Sequence, residues 1–162
     1  MRVGIGYDAH PLVSGRNLVL GGIEVPFEKG LSGYSDADVL THAIIDALLG
    51  AAGLKDIGNQ FPPEDPQYKD ISSLVLLKDV DKLIKAEGFK IGNIDAVIVA
   101  QQPKLSPFID DMCGQLSRTL GIASAQVMVK VTTTDGLGFT GRGEGIAAYA
   151  VALVEEDIVS FD

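Results

Sequence analysis

Only two histidines occur in the 162 residues of this chain, and each stands where it could bind a metal ion. His10 closes the run Gly6-Tyr7-Asp8-Ala9-His10 at the end of a predicted first strand. His42 lies one turn into a helix opened by Ser35-Asp36-Ala37-Asp38. Successive strand residues point to opposite sides, so Asp8 and His10 share a face and can grip one ion together. With His42 as third ligand, the fourth position of a tetrahedral zinc stays open, the arrangement of a catalytic rather than a structural site. By itself an Asp-x-His pair is a weak signal.

A second block with chemical potential runs from Lys130 to Gly145. A strand ending in Thr132-Thr133-Thr134 is followed by Asp135 and then by five glycines in ten residues. Hydroxyls and closely approaching backbone amides of this kind can receive an anion, while a plain glycine-rich turn reads the same way. The block is not a Walker loop, because its lysine precedes the glycines and no Gly-Lys-Ser/Thr follows, and it is not read as a dinucleotide fingerprint. Cys113 is the single cysteine. It lies on the apolar stripe Phe108, Ile109, Met112 and Leu116, which suits a core thiol rather than a nucleophile.

Composition limits the partners. Net charge is −9, and no basic run or basic-aromatic stripe interrupts it, which argues against nucleic acid and anionic membranes. A phosphate ligand therefore needs a cation as mediator. Hydrophobic residues make up 46% and mean hydropathy is +0.24. Both are high for a small monomer, so burial of apolar surface between subunits is expected. One cysteine excludes an internal disulfide and fits a reducing compartment. With no signal core, transit segment or long uncharged apolar stretch, a cytoplasmic location is expected.

The elements that must position these residues follow from periodicity. Val3, Ile5 and Tyr7 alternate as a strand, and residues 18–26 read as a hairpin turning at Gly21-Gly22. Helical stripes run from Ala37 to Gly50 and from Ser73 to Glu87, with Gly88 as stop. A strand spans Ile94–Ala100, the Cys113 helix follows, and Gln126–Thr132 is another strand. Ile146–Val154 is ambiguous between helix and strand, because alanine favours the first and the short length and glycine flank the second. These elements predict an α+β fold, a mixed sheet covered by helices on one face. Residues 1–154 form a single domain and residues 155–162 an acidic tail.

Taken together, the residues resemble the 2-C-methyl-D-erythritol 2,4-cyclodiphosphate synthase family. The carriers are Gly6-Tyr7-Asp8-Ala9-His10, Ser35 through Ala43, Asp46 through Ala51, Asp56-Ile57-Gly58, Phe61-Pro62, Pro103-Lys104-Leu105 and Gly138 through Gly145. The resemblance implies a homotrimer with an active site in each cleft between subunits. It also implies cyclisation of 4-diphosphocytidyl-2-C-methyl-D-erythritol 2-phosphate with release of CMP, in the non-mevalonate isoprenoid precursor pathway. The substrate's own 2-phosphate attacks its β-phosphate, so no protein nucleophile is required. Two cations are implied: zinc on Asp8, His10 and His42, and magnesium or manganese on Asp135, bridging the diphosphate.

The same resemblance assigns further contacts. Asp8, His10, Tyr34 and Ser35 meet the phosphates, with Ser35 also expected to cap the His42 helix and Asp38 to reach back to it in a capping box. Asp56, Ile57, Gly58, Phe61 and Asp65 enclose the methylerythritol unit, Asp65 or Glu64 replacing an aspartate usually found after Phe61-Pro62. Ala100, Lys104 and Leu105 form the cytosine end, where Lys104 also reads as a solvated surface charge. Thr132 and Thr133 bind the α-phosphate from the neighbouring subunit, and Thr133, Tyr34, Ser35 and Asp135 carry the catalytic roles. Asp46 either orients His42 or caps a loop. Tyr34 stands where the family usually has histidine, and Asp135 where it usually has glutamate. Phe139, Arg142 and Glu144 match the rim of an axial channel, so a non-catalytic trimer holding an isoprenoid diphosphate is one rival reading. A metal-dependent phosphohydrolase is the other.

Overall fold

The computed structural model describes residues 1–158. Strands β1 (Arg2–Ser14), β2 (Leu18–Leu20), β3 (Ile23–Val25) and β4 (Lys29–Leu31) come first, then helices α1 (Val39–Ala52), α2 (Ile57–Gln60) and α3 (Ser73–Ala86). Strand β5 (Phe89–Val99), helix α4 (Ile109–Leu120), strand β6 (Val127–Thr132), the short helix α5 (Gly138–Gly141) and strand β7 (Gly145–Glu156) complete the order. Five strands form one mixed sheet, β4-β1-β7-β5-β6, in which only β5 and β6 are parallel. The other two strands make the expected hairpin, with Gly21 at φ 58° and Gly22 at φ 72°. Two consecutive positive φ values are what a tight hairpin turn demands and what glycine supplies without strain.

Residues 146–154 are strand throughout, pairing with β1 on one side and β5 on the other. Their alanines have a packing reason rather than a helical one. Ala148, Ala150 and Ala152 are buried under α1, which rests on β1 and β7. On β1 the facing residues are Gly4 and Gly6, where a Cβ would strike the backbone of α1 at Ala47 and Ala43. Small residues on both central strands therefore let the helix lie directly on the sheet. In consequence α1 is buried nearly all round, more completely than a one-sided stripe predicts. Strand β7 also runs on through Glu155 and Glu156, which pair with Lys90 and Phe89. The acidic tail expected from residue 155 thus begins in the sheet, and residues 159–162 lie outside the described part of the chain.

Helices α1, α3 and α4 share one face of the sheet. The opposite face bears Val3, Ile5, Tyr7, Met128, Tyr149 and Val151, with Ile5 73% and Val3 67% exposed. Among the described residues no helix is long and apolar enough to cross a membrane.

Candidate metal centre

Alternation along β1 turns Gly4, Gly6, Asp8 and His10 toward α1, and His42 descends from the first turn of that helix to meet them. Asp8 Oδ2 lies 2.9 Å from His10 Nε2 and 3.1 Å from His42 Nδ1. One ligand atom from each residue falls within 4.8 Å of the others. Zinc bonds of about 2.0–2.1 Å give a tetrahedral edge of about 3.4 Å, so these spacings suit a single ion. His10 Nε2 is buried and, despite its approach to Asp8, makes no hydrogen bond, alone among the buried side-chain nitrogens and oxygens of the described residues. Close in distance but off in angle is the geometry of two ligands aimed at a common third point. One carboxylate and two imidazoles are also a donor set that zinc accepts.

Charge at the site follows from this crowding. Burial works to raise the Asp8 carboxyl, but the close approach of the His10 and His42 rings, and their charge, overcome it and bring it down to about 2. For His42, burial favours the neutral ring. The hydrogen bond to Asp8 and the charges of Asp8, Asp38 and Asp36 outweigh that and raise its pKa.

The N-terminus of α1 is built differently from the sequence expectation. Its cap is Asp38, not Ser35: the fully buried carboxylate accepts from the Thr41 N–H and hydroxyl and from the N–H groups of Gly21 and Gly22. Asp38 therefore ties the hairpin turn to the helix instead of reaching back in a capping box. Burial still pushes its carboxyl upward against those four donors. Ser35 Oγ, freed from capping, accepts from the Ala37 N–H and lies 3.2 Å from His42 Nε2. The loop that presents Tyr34 and Ser35 is held by Arg16, which donates to the carbonyls of Gly33 and Ser35. Gly33 is also a site residue, because a Cβ there would press on the His10 ring at 3.2 Å. Asp46 accepts from the Ile57 N–H at 2.8 Å, so of its two readings the loop cap is the one observed.

A 270 Å³ cavity opens over the cluster, lined by Asp8, His10, Tyr34, Ser35, His42, Ile57, Gly58, Phe61, Pro63, Tyr68 and Leu76. Asp56 and Asp65 do not line it. Their carboxylates cap local turns, Asp56 accepting from the Asn59 N–H and side chain and Asp65 from those of Gln67. Tyr68, unassigned by the sequence, packs edge-on against Phe61 and completes the apolar wall. Ala100, Lys104, Leu105, Thr132 and Thr133 gather in a separate 740 Å³ cavity with Phe27 and Pro103. Asp135, at φ 52°, accepts from the Thr133 hydroxyl and is not part of the Asp8 cluster. Phe139 is exposed, and the exposed Arg142 is paired with Glu144 at 2.8 Å. Within one chain, then, the predicted residues form two half-sites rather than one.

An α+β sheet whose first strand and first helix converge on a carboxylate–imidazole cluster defines the class: a metal-binding domain with a ligand cavity beside the ion site. The chain belongs to the YgbB family, whose family model matches residues 1–155. Relatives named 2-C-methyl-D-erythritol 2,4-cyclodiphosphate synthase include that of Pelotomaculum thermopropionicum, 61% identical over 96% of this chain and 96% of its own length. Another, from Moorella thermoacetica, is 56% identical over 95% of this chain and 94% of its own. Among solved structures, the bifunctional IspDF of Campylobacter jejuni superposes with TM-score 0.93 at 39% identity, over 96% of this chain and 42% of that one. A CDP-bound 2C-methyl-D-erythritol-2,4-cyclodiphosphate synthase gives 0.87 at 35% identity, over 95% of this chain and all of the other.

Proposed function

We propose that this chain is a phosphorus–oxygen lyase that cyclises 4-diphosphocytidyl-2-C-methyl-D-erythritol 2-phosphate to 2-C-methyl-D-erythritol 2,4-cyclodiphosphate and releases CMP. The observation that carries the reading is the Asp8–His10–His42 cluster at the mouth of a cavity, in a chain of this family. Zinc is the ion assigned to that cluster, and magnesium or manganese the ion assigned to Asp135. When bound, they offset the charge of the phosphoryl oxygens and polarise the phosphorus.

The chain's own residues then have positional tasks. Ser35 presents its hydroxyl at the cluster and Tyr34, whose hydroxyl donates to the Asp65 carbonyl, lines the cavity beside it, while Ile57, Gly58 and Phe61 enclose the methylerythritol carbons and exclude water. Ala100 and Leu105 flank the cytosine, and Lys104, Thr132 and Thr133 hold the α-phosphate. No serine or threonine needs a general base, since the attacking group is the substrate's own phosphate. Holding attacker, phosphorus and leaving group in line supplies most of the acceleration.

A homotrimer unites the half-sites, the cytidine half of one subunit meeting the metal half of its neighbour. Two observations support it: the halves line different cavities of one chain, and the helix-free sheet face exposes large apolar side chains, Val3, Ile5, Tyr7, Met128, Tyr149 and Val151. Phe139, Arg142 and Glu144 are assigned to the trimer axis, where Arg142 offers a charge to an isoprenoid diphosphate. The lone, unpaired Cys113 supports a cytoplasmic location.

Phosphorus NMR of the products tests the function. Cyclodiphosphate plus CMP is expected. Inorganic phosphate would establish a hydrolase instead, and unchanged substrate a binding protein.

A further inference from the structure

We propose that Ser73 and Asp36 are positioning residues of the metal centre, fixing His42 with its proton on Nε2 so that the Nδ1 lone pair faces Asp8 and the bound ion. The inference rests on the metal reading of the Asp8–His10–His42 cluster.

Counting hydrogens gives the assignment. Ser73 Oγ makes a short hydrogen bond to Asp36 Oδ1 and lies 2.8 Å from His42 Nε2. A hydroxyl has one hydrogen, and a carboxylate can only accept, so that hydrogen goes to Asp36. Toward His42 the serine oxygen must therefore accept, which requires a proton on Nε2. Because an imidazole that ligates a metal is neutral and carries one proton, Nδ1 is left bare for the ion, 3.1 Å from Asp8 Oδ2; without the ion a second proton on Nδ1 makes the hydrogen bond to Asp8. Ser35 Oγ, 3.2 Å from the same Nε2, is a second acceptor and does not alter the count. Ser73 is fully buried, so water does not compete for its hydroxyl.

Asp36 is in turn held rigidly. Its carboxylate accepts from the Ser73 N–H at 2.9 Å and the Asp38 N–H at 3.1 Å, and its own N–H donates to the Ile71 carbonyl. One aspartate thus ties the start of α3 to the turn before α1 and, through Ser73, to the ring of a metal ligand. Partners that fix the tautomer of a ligating histidine in this way are worth about 10- to 100-fold in metal affinity.

Ser73→Ala removes the hydroxyl but keeps the backbone N–H that Asp36 caps, so the helix start survives. Zinc affinity, read by competition with a chromogenic chelator, is expected to fall about 10- to 100-fold in the folded variant, with Ser73→Thr recovering much of it. Folded Ser73→Ala protein binding zinc as tightly as wild type would overturn the inference while leaving the metal reading intact. Nitrogen-15 NMR of zinc-loaded wild-type protein tests it without any variant. The expected signature is a protonated Nε2 and a metal-bound Nδ1 on His42, and the reverse assignment overturns the proposal. Failure of the wild type to bind zinc at all overturns the metal reading and this inference with it.

Discussion

Replacing Gly6 by alanine should damage both the fold and the metal centre, because this residue sets how closely β1 approaches α1. A Cβ at position 6 would lie 2.8 Å from the Ala43 carbonyl carbon and from the Ala47 nitrogen, and closer still to the Ala43 oxygen, where ordinary contact begins at 3.4 Å. Strand and helix must separate by about 0.6 Å for the first two atoms and by more for the oxygen, and all three are backbone atoms that cannot rotate aside. Overpacking of this kind costs about 1–3 kcal/mol, against an offset of about 0.4–1 kcal/mol from the stiffer unfolded chain. The displacement falls directly on the site, since Asp8 follows Gly6 by two residues and His42 adjoins Ala43. Ligand placement tolerates only about 0.5 Å, and each 1.4 kcal/mol of misfit reversed on binding costs about tenfold in affinity. Urea unfolding of the metal-free protein at fixed concentration, with zinc titration alongside, provides the measurement. Gly50→Ala is the control: nothing lies within 4 Å of a Cβ there, and the change should stabilise the exposed helix position by about 0.5–1 kcal/mol. Gly6→Ala protein with stability within about 0.5 kcal/mol of wild type and undiminished zinc affinity would refute this account of the packing.

Other outcomes are equally checkable. His42→Ala should remain folded by circular dichroism while losing bound zinc and turnover, and metal analysis showing a full complement would remove His42 from the ligand set. Asp8, lowered from 3.8 to about 2, stabilises the metal-free protein above pH 4. About 2 kcal/mol of that should vanish as the pH falls through 2, a loss that Asp8→Asn would not show in acid unfolding. Burial and the surrounding carboxylates act on His42 in opposite senses with a net rise. Its contribution to metal-free stability is therefore complete below pH 6.5 and disappears as the pH climbs through the raised value, measurable by the same unfolding series. Asparagine tolerates the left-handed backbone of Asp135, so Asp135→Asn isolates the charge. Turnover should fall sharply with either magnesium or manganese, and normal turnover would leave Asp135 a turn residue. Mixing inactive His42→Ala and Thr133→Ala subunits under conditions that allow exchange should restore activity through hybrid clefts, whereas a monomeric mass by light scattering would contradict the shared site.

The chemistry of the metal half could be read from the chain because its signals are local. Asp8 and His10 are two residues apart on a strand, so alternation alone puts them on one face, and periodicity places His42 at the start of a helix. The hairpin turn at Gly21-Gly22 was equally local, since two positive φ values call for glycine. What periodicity could not decide was why residues 146–154 are rich in alanine, because helix propensity and close packing favour the same small side chain. Only the position of α1 against Gly4, Gly6 and β7 separates them. The helix cap went to Asp38 rather than Ser35 because its four donors include two from a hairpin seventeen residues away, and competition among acceptors is settled by the fold. Ser73 and Asp36, thirty-seven residues apart, carry no spacing signal, and their meeting at His42 exists only once α3 has docked beside α1. Residue types and short-range geometry determined which groups could hold an ion. Which partners orient those groups, and that Ala100, Lys104, Thr132 and Thr133 open into a different cavity of the same chain, depended on long-range packing.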